Sequence, residues 1–149
     1  IDLIGNRVTE VTDWVTRNPV TRTLPIGLFG ASTGAAAALR AAAARPSLVR
    51  AVVSRGGRPD LAGEALPRVQ APTLLIVGAE DVQVIQLNDL ARRKMHAPVQ
   101  VVLVPRATHL FEEPGTLAEA SRLARDWFLD HLATRSDSER SQEQSKSGA

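Results

Sequence analysis

The sequence predicts an α/β domain: a parallel sheet of about four strands with helices packed against it. Two observations carry that expectation. Helical and extended patterns alternate along the chain as far as Leu132, and such alternation implies parallel strands joined by right-handed crossovers. The extended runs are continuously apolar, the pattern of a sheet covered on both faces. The chain has 149 residues, enough for one domain with a real core.

The elements follow in order. Ile4, Val8, Val11, Trp14 and Val15 recur at helical spacing, and Asn18-Pro19 stops that helix. The run from Leu24 to Phe29 reads as a strand that ends at Gly30. The alanine-rich stretch from Gly34 to Ala44 is a helix, because alanine has the best helix propensity. Leu48 to Ser54, with Val52 and Val53, is a second strand. Arg55-Gly56-Gly57-Arg58-Pro59 reads as a loop. Thr73 to Gly78 is the clearest strand in the chain. Val84, Leu87, Leu90, Ala91 and Met95 mark a helix, and Val99 to Val104 a fourth strand. Thr116 and Glu119 have the spacing of a capping box at the start of the last helix. Trp14, Trp127 and Phe128 fall on apolar helix faces and are expected in the core.

Composition narrows the function classes. Apolar residues make up 44 % of the chain, ordinary for a globular protein. From Thr134 onward they all but vanish, which predicts a folded domain over 1–133 and a disordered tail over 134–149. No apolar run approaches the roughly 18 residues that a membrane span needs, and no signal-peptide pattern opens the chain. Cysteine is absent, which excludes disulfides and thiolate zinc sites and suits a cytoplasmic protein. A net charge of +2 gives no case for a nucleic-acid partner. No cluster of histidines and carboxylates has metal-ligand spacing, so no metal is expected. The chain opens on Ile1 inside an amphipathic pattern, which reads as truncation of a longer protein, with a processed N-terminus or an omitted initiator as the plainer alternative.

Gly30-Ala31-Ser32-Thr33-Gly34 lies where an apolar strand passes into a helix. A serine in such a turn presents its hydroxyl beyond the strand end, and small flanking residues let the backbone bend. The helix terminus beside it offers unpaired N–H groups and partial positive charge to a developing oxyanion. A carboxylate follows the clearest strand in Gly78-Ala79-Glu80-Asp81. That edge of a parallel sheet is where ligands bind. Asp81 is the leading acid; Glu80 and Asp60 compete, and a solvated loop acid or a helix N-cap is the plainer alternative. Of the three histidines, His96 sits among charged residues and His131 lies within the last helix. Only His109 follows a strand end. The order Ser, Asp, His matches one serine-hydrolase fold and differs from two others.

These segments carry a family resemblance. PIGLFGASTGAAAALRAA, APTLLIVGAEDVQV and PRATHLFEEPG resemble stretches of the dienelactone-hydrolase-like branch of the α/β-hydrolase superfamily, over nearly the whole chain. The resemblance implies a partial α/β-hydrolase fold that lacks the family's N-terminal strands. It implies Ser32 as nucleophile, Asp81 as acid, His109 as base, and the Thr33 N–H as one oxyanion donor, with Gly30 and Gly34 shaping the nucleophile elbow. The second oxyanion donor of the family comes from a loop in the absent part. Some relatives carry such a domain behind a phosphoribosyltransferase domain.

The expected activity is hydrolysis of an ester, lactone or related acyl bond through an acyl-serine intermediate, with water as second substrate and no cofactor. A small acyl compound is then the partner. The open edge of the strand at 24–29 also invites a homodimer or the absent N-terminal segment. An impaired fragment, or an interaction module that keeps the fold, is the rival; acyl transfer or perhydrolysis on the same residues is a third possibility. Arg55 and Arg58 could hold an anionic substrate group, but a solvated loop is the plainer expectation. Arg92, Arg93 and Lys94 read as the wet face of a helix.

Overall fold

A computed structural model describes residues 1–133; the tail expected over 134–149 lies outside the described residues. The element order is α1 (Asp2–Arg17), β1 (Ile26–Ala31), α2 (Thr33–Ala44), β2 (Val49–Arg55), a 3₁₀ stretch (Pro59–Arg68), β3 (Thr73–Gly78), α3 (Val82–Lys94), β4 (Val99–Val104) and α4 (Thr116–Leu132). The four strands form one sheet in the order β1-β2-β3-β4. Every pairing is parallel.

Two apolar layers hold the sheet. On one face α2, the 3₁₀ stretch and α3 pack on β2, around Leu39, Val52, Leu66 and Val69. On the other, α4 covers Val53, Leu74, Ile76 and Val104, with Phe111 closing the top. β3 is buried along its whole length, which is why its sequence is apolar without alternation. Alanine serves α2 by size as well as propensity: Ala35 to Ala38, Ala41 and Ala42 are buried, so the helix lies close on the sheet. Each fully buried side chain such as Leu39 or Leu75 contributes about 1.5–3 kcal/mol.

α1 packs on α2 and is fastened by a bidentate ion pair from Arg45 to Asp13, at 2.6 and 2.7 Å. The Arg45 guanidinium holds the Asp13 carboxyl below its ordinary range. Among the described residues nothing covers the remaining apolar arc of α1. Trp14 is 61 % exposed, against the expectation that it lies in the core. Val11, Leu24 and Phe29 are exposed as well. Among the described residues β1 bonds to β2 on one side only, and Val8, Val11, Val15, Leu24, Ile26 and Leu28 line a groove of about 510 Å³ between α1 and that open strand.

The capping box at Thr116 does not form. Gly115, left-handed at φ +82°, occupies the N-cap, and no side chain caps the helix. Thr116 Oγ1 donates to the Glu113 carbonyl, while Glu119 pairs with Arg122. Among the described residues, no helix is long and apolar enough to cross a membrane.

Candidate active site

Ser32 is the single residue between β1 and α2, at φ +50° and ψ −127°. A non-glycine residue at positive φ costs on the order of 1–3 kcal/mol and persists only where its surroundings fix it. Two contacts do so. The Ser32 carbonyl accepts the Ala35 N–H at 3.2 Å and the Arg58 N–H at 2.9 Å. Gly30 makes the turn sterically feasible, because a Cβ there would land on the Gly34 carbonyl and within 2.6 Å of the Ala35 Cα. Ser32 and Thr33 are both exposed at the start of α2, where a helix's first N–H groups lack internal partners. Gly34 has open space around its α-carbon, so nothing described here requires glycine at that position.

Asp81 and His109 meet directly. β3 and β4 end level, with Gly78 paired to Val104. The loops beyond them are stitched together by Ala79 N–H to the Val104 carbonyl and Glu80 N–H to the Ala107 carbonyl, both at 3.0 Å. A side chain at Gly78 would collide with the carbonyls of Ala107 and Thr108. Asp81 stands at the N-cap position of α3 but makes no side-chain cap bond there. Its carboxylate instead lies 2.7 Å from His109 Nδ1. The carboxylate is largely covered, and the imidazole is 42 % exposed. With Nδ1–H donated to a carboxylate, Nε2 becomes the nitrogen able to accept a proton.

The loop that carries His109 is held by Glu113. Its carboxylate accepts the Thr108 N–H at 3.1 Å and the Thr108 hydroxyl at 2.5 Å. The hydroxyl bond is the largest influence that keeps the Glu113 carboxyl below its ordinary range, with backbone N–H groups adding to it. Arg106 and Phe111, on either side of the histidine, both have positive φ.

The competing candidates separate cleanly. Glu80 is exposed. Asp60 is engaged by Arg58, with two bonds at 2.9 and 2.8 Å. His96 is exposed on the surface. His131 bonds the Trp127 carbonyl through Nδ1 and lies against the Trp127 ring. Ser32 lies on the same strand-end rim as the His109–Asp81 pair: Ala31 pairs with Arg55, and Arg55 with Ile76. No hydrogen bond joins Ser32 Oγ to the imidazole among the described residues.

The expectation of a solvated Arg55–Arg58 loop is corrected. Gly56 and Gly57 are buried, and Asn88, fully buried on α3, donates Nδ2 to the Gly57 carbonyl at 3.0 Å. Sequence reading passed over Asn88, Glu113 and the two glycines. The available signal was a buried-helix spacing, Val84-Asn88-Ala91, with an amide on its apolar side.

A parallel α/β sheet with a strained serine turn and a carboxylate–imidazole pair on one strand-end rim has the architecture of α/β-hydrolases. The chain belongs to the dienelactone hydrolase family, whose family model matches residues 2–134. It is similar to the crystal structure of a dienelactone hydrolase from Anabaena variabilis, at 55 % identity and a TM-score of 0.85, over 87 % of this chain and 60 % of that one. A Mycobacterium tuberculosis protein, provisionally named a phosphoribosyl transferase, is 58 % identical over 132 residues, 89 % of this chain and 30 % of the relative. This chain therefore spans less than a third of that relative's length. Est1E of Butyrivibrio proteoclasticus, solved with ferulic acid bound, shares the fold at 14 % identity and a TM-score of 0.71, over 87 % of this chain and 68 % of that one.

Proposed function

We propose that this chain carries the catalytic residues of a serine hydrolase for an ester, lactone or related acyl bond. The observation that carries the reading is the 2.7 Å bond from Asp81 to His109 Nδ1, on the rim where Ser32 is held at positive φ. In this reading His109 Nε2 takes the Ser32 proton as the hydroxyl oxygen attacks the acyl carbon. Asp81 stabilises the resulting imidazolium. The Thr33 N–H, at the positive end of α2, stabilises the oxyanion. The leaving group departs with the histidine's proton, and water then hydrolyses the acyl-serine by the same steps. No cofactor enters the scheme. The lack of a Ser32–His109 hydrogen bond among the described residues is compatible with it, because such bonds often tighten only on substrate.

What would cover the open side of β1 belongs to the same proposal. The open strand and its apolar groove are the seat of an upstream strand of the longer protein, with a second copy of this chain as the alternative occupant. The Anabaena relative extends well beyond the matched portion. The phosphoribosyl transfer in the mycobacterial relative's name would reside in the part that this chain does not match. A cytoplasmic location fits the lack of cysteine.

A fluorophosphonate probe tests the chemistry. Labelling at Ser32 that disappears in Ser32→Ala is the expected result. A folded protein that resists labelling would instead favour the second reading, a binding module with an idle site, which the exposure of Ser32 and the lack of a hydrogen bond between its hydroxyl and His109 among the described residues support.

A further inference from the structure

The segment from Arg55 to Arg58 touches each of the elements that carry Ser32, Asp81 and His109. The Arg58 N–H donates to the Ser32 carbonyl at 2.9 Å. The Gly57 carbonyl accepts from Asn88, seven residues along the helix that Asp81 opens. The Gly56 N–H donates to the Ile76 carbonyl of β3 at 2.8 Å. A Cβ on Gly56, which is itself left-handed, would stand 3.1 Å from the His109 carbonyl oxygen and 3.4 Å from the Phe111 ring. The Arg55 guanidinium lies over that ring, 5.3 Å from its centroid, and Nη1 is 3.5 Å from the Leu110 carbonyl.

We infer that this buried loop is the positioning device that registers the His109–Asp81 pair against Ser32, with Gly56, Arg55 and Asn88 as positioning residues. The inference rests on reading those three as base, acid and nucleophile. The three groups stand on turns after three different strands. An error of about 1 Å in such a constellation costs on the order of a hundred-fold in rate. A shared seat removes that freedom. Gly56 lets the histidine loop settle directly on the end of β2. Arg55 grips the two residues after His109, through one carbonyl and one ring face. Asn88 ties the same loop to α3, and so to Asp81. Asn88 Nδ2 spends both its N–H groups on the Gly57 and Val84 carbonyls, while Oδ1 is buried with no partner among the described residues. A buried amide that leaves one polar atom unpaired is costly, and what it supplies in return is the tie between the loop and α3. A leucine would fill the space and leave the Gly57 carbonyl unpaired.

The test uses the intact protein that carries this chain. Gly56→Ala, Arg55→Lys and Arg55→Gln are compared with the parent. The readouts are fluorophosphonate labelling of Ser32, kcat and KM for a p-nitrophenyl ester across pH, and the downfield NMR proton of the His109–Asp81 bond. Gly56→Ala is expected to lower kcat on the order of a hundred-fold with KM nearly unchanged. It should move the acid limb of the pH profile and weaken the downfield signal. Arg55→Lys, which keeps a cation over Phe111, should retain more activity than Arg55→Gln. A folded Gly56→Ala variant with parental kcat, acid limb and NMR signal overturns the inference. If that variant does not fold, equal parental activity in both Arg55 variants overturns it instead. The underlying reading fails separately: a parent that Ser32 probes do not label, with the downfield signal still lost in Gly56→Ala, refutes the nucleophile and leaves the positioning intact.

Discussion

Ser32 holds a conformation that glycine adopts freely and serine does not. Stability alone therefore favours glycine, and the serine is kept at a cost. Ser32→Gly should be more stable than Ser32→Ala by about 1–3 kcal/mol, since both lose the hydroxyl but only glycine escapes the strain. Denaturant unfolding of the two variants measures the difference; equal midpoints would mean the turn is not strained. Glu113 gives a pH-dependent counterpart. Its carboxyl, held below the ordinary value of 4.5 chiefly by the Thr108 hydroxyl, grips the histidine loop only while ionised. A depressed folded pKa means that the grip is fully present above the unfolded value and is lost as pH falls through the folded one. Amide protection at Thr108 should therefore fall in the parent as the pH drops below the ordinary carboxylate range. In Glu113→Gln it should be weaker throughout and nearly flat in that range.

At the scale of elements, what was legible in the sequence depended on what each pattern encodes. β3 and β4 were read to their end residues, because largely apolar runs bounded by glycine or proline leave little choice. β1 extends two residues past its apolar run, to Ala31, because the Ser54 and Arg55 backbones continue the ladder there and pairing does not require an apolar side chain. The Asp81–His109 partnership followed from their shared position after strands. The roles of Gly56, Gly57 and Asn88 did not, because a glycine pair reads as flexible until a neighbour is seen to fill the space. The Thr116–Glu119 spacing failed for a local reason: Pro114-Gly115 delivers a left-handed residue to the cap position, which leaves Thr116 inside the helix. Trp14 failed for a global one. Periodicity reports that a helix has an apolar face, not whether another element covers it. Gly27 shows how closely α4 meets β1. A Cβ there would lie 2.5 Å from the Phe128 ring, so Gly27→Ala should cost about 1–3 kcal/mol through overpacking, read as a lowered unfolding midpoint.

At the scale of the whole molecule the two sides of the sheet are unequal. β4 ends it on one side with its outward positions partly exposed. β1 ends it on the other with an apolar groove and an exposed Phe29 alongside. An open apolar strand next to the candidate nucleophile has a chemical consequence. Ser32 follows directly from β1, so whatever pairs with that strand also stands beside the space where an oxyanion would form. In the proposed mechanism Thr33 supplies one N–H there, and the loss of a single donor from such a site costs on the order of a hundred-fold to a thousand-fold in kcat. Gly34 fits this picture, since its open surroundings would be filled by an element packed on the same side. Ester turnover by residues 1–133 alone should therefore fall that far below turnover by a version extended upstream through the strand that covers β1. KM should change less, because much of the loss belongs to the transition state. Equal and high turnover in both would mean that this segment already holds a complete oxyanion site, and the assignment of the β1 edge to an upstream strand would lose its catalytic argument.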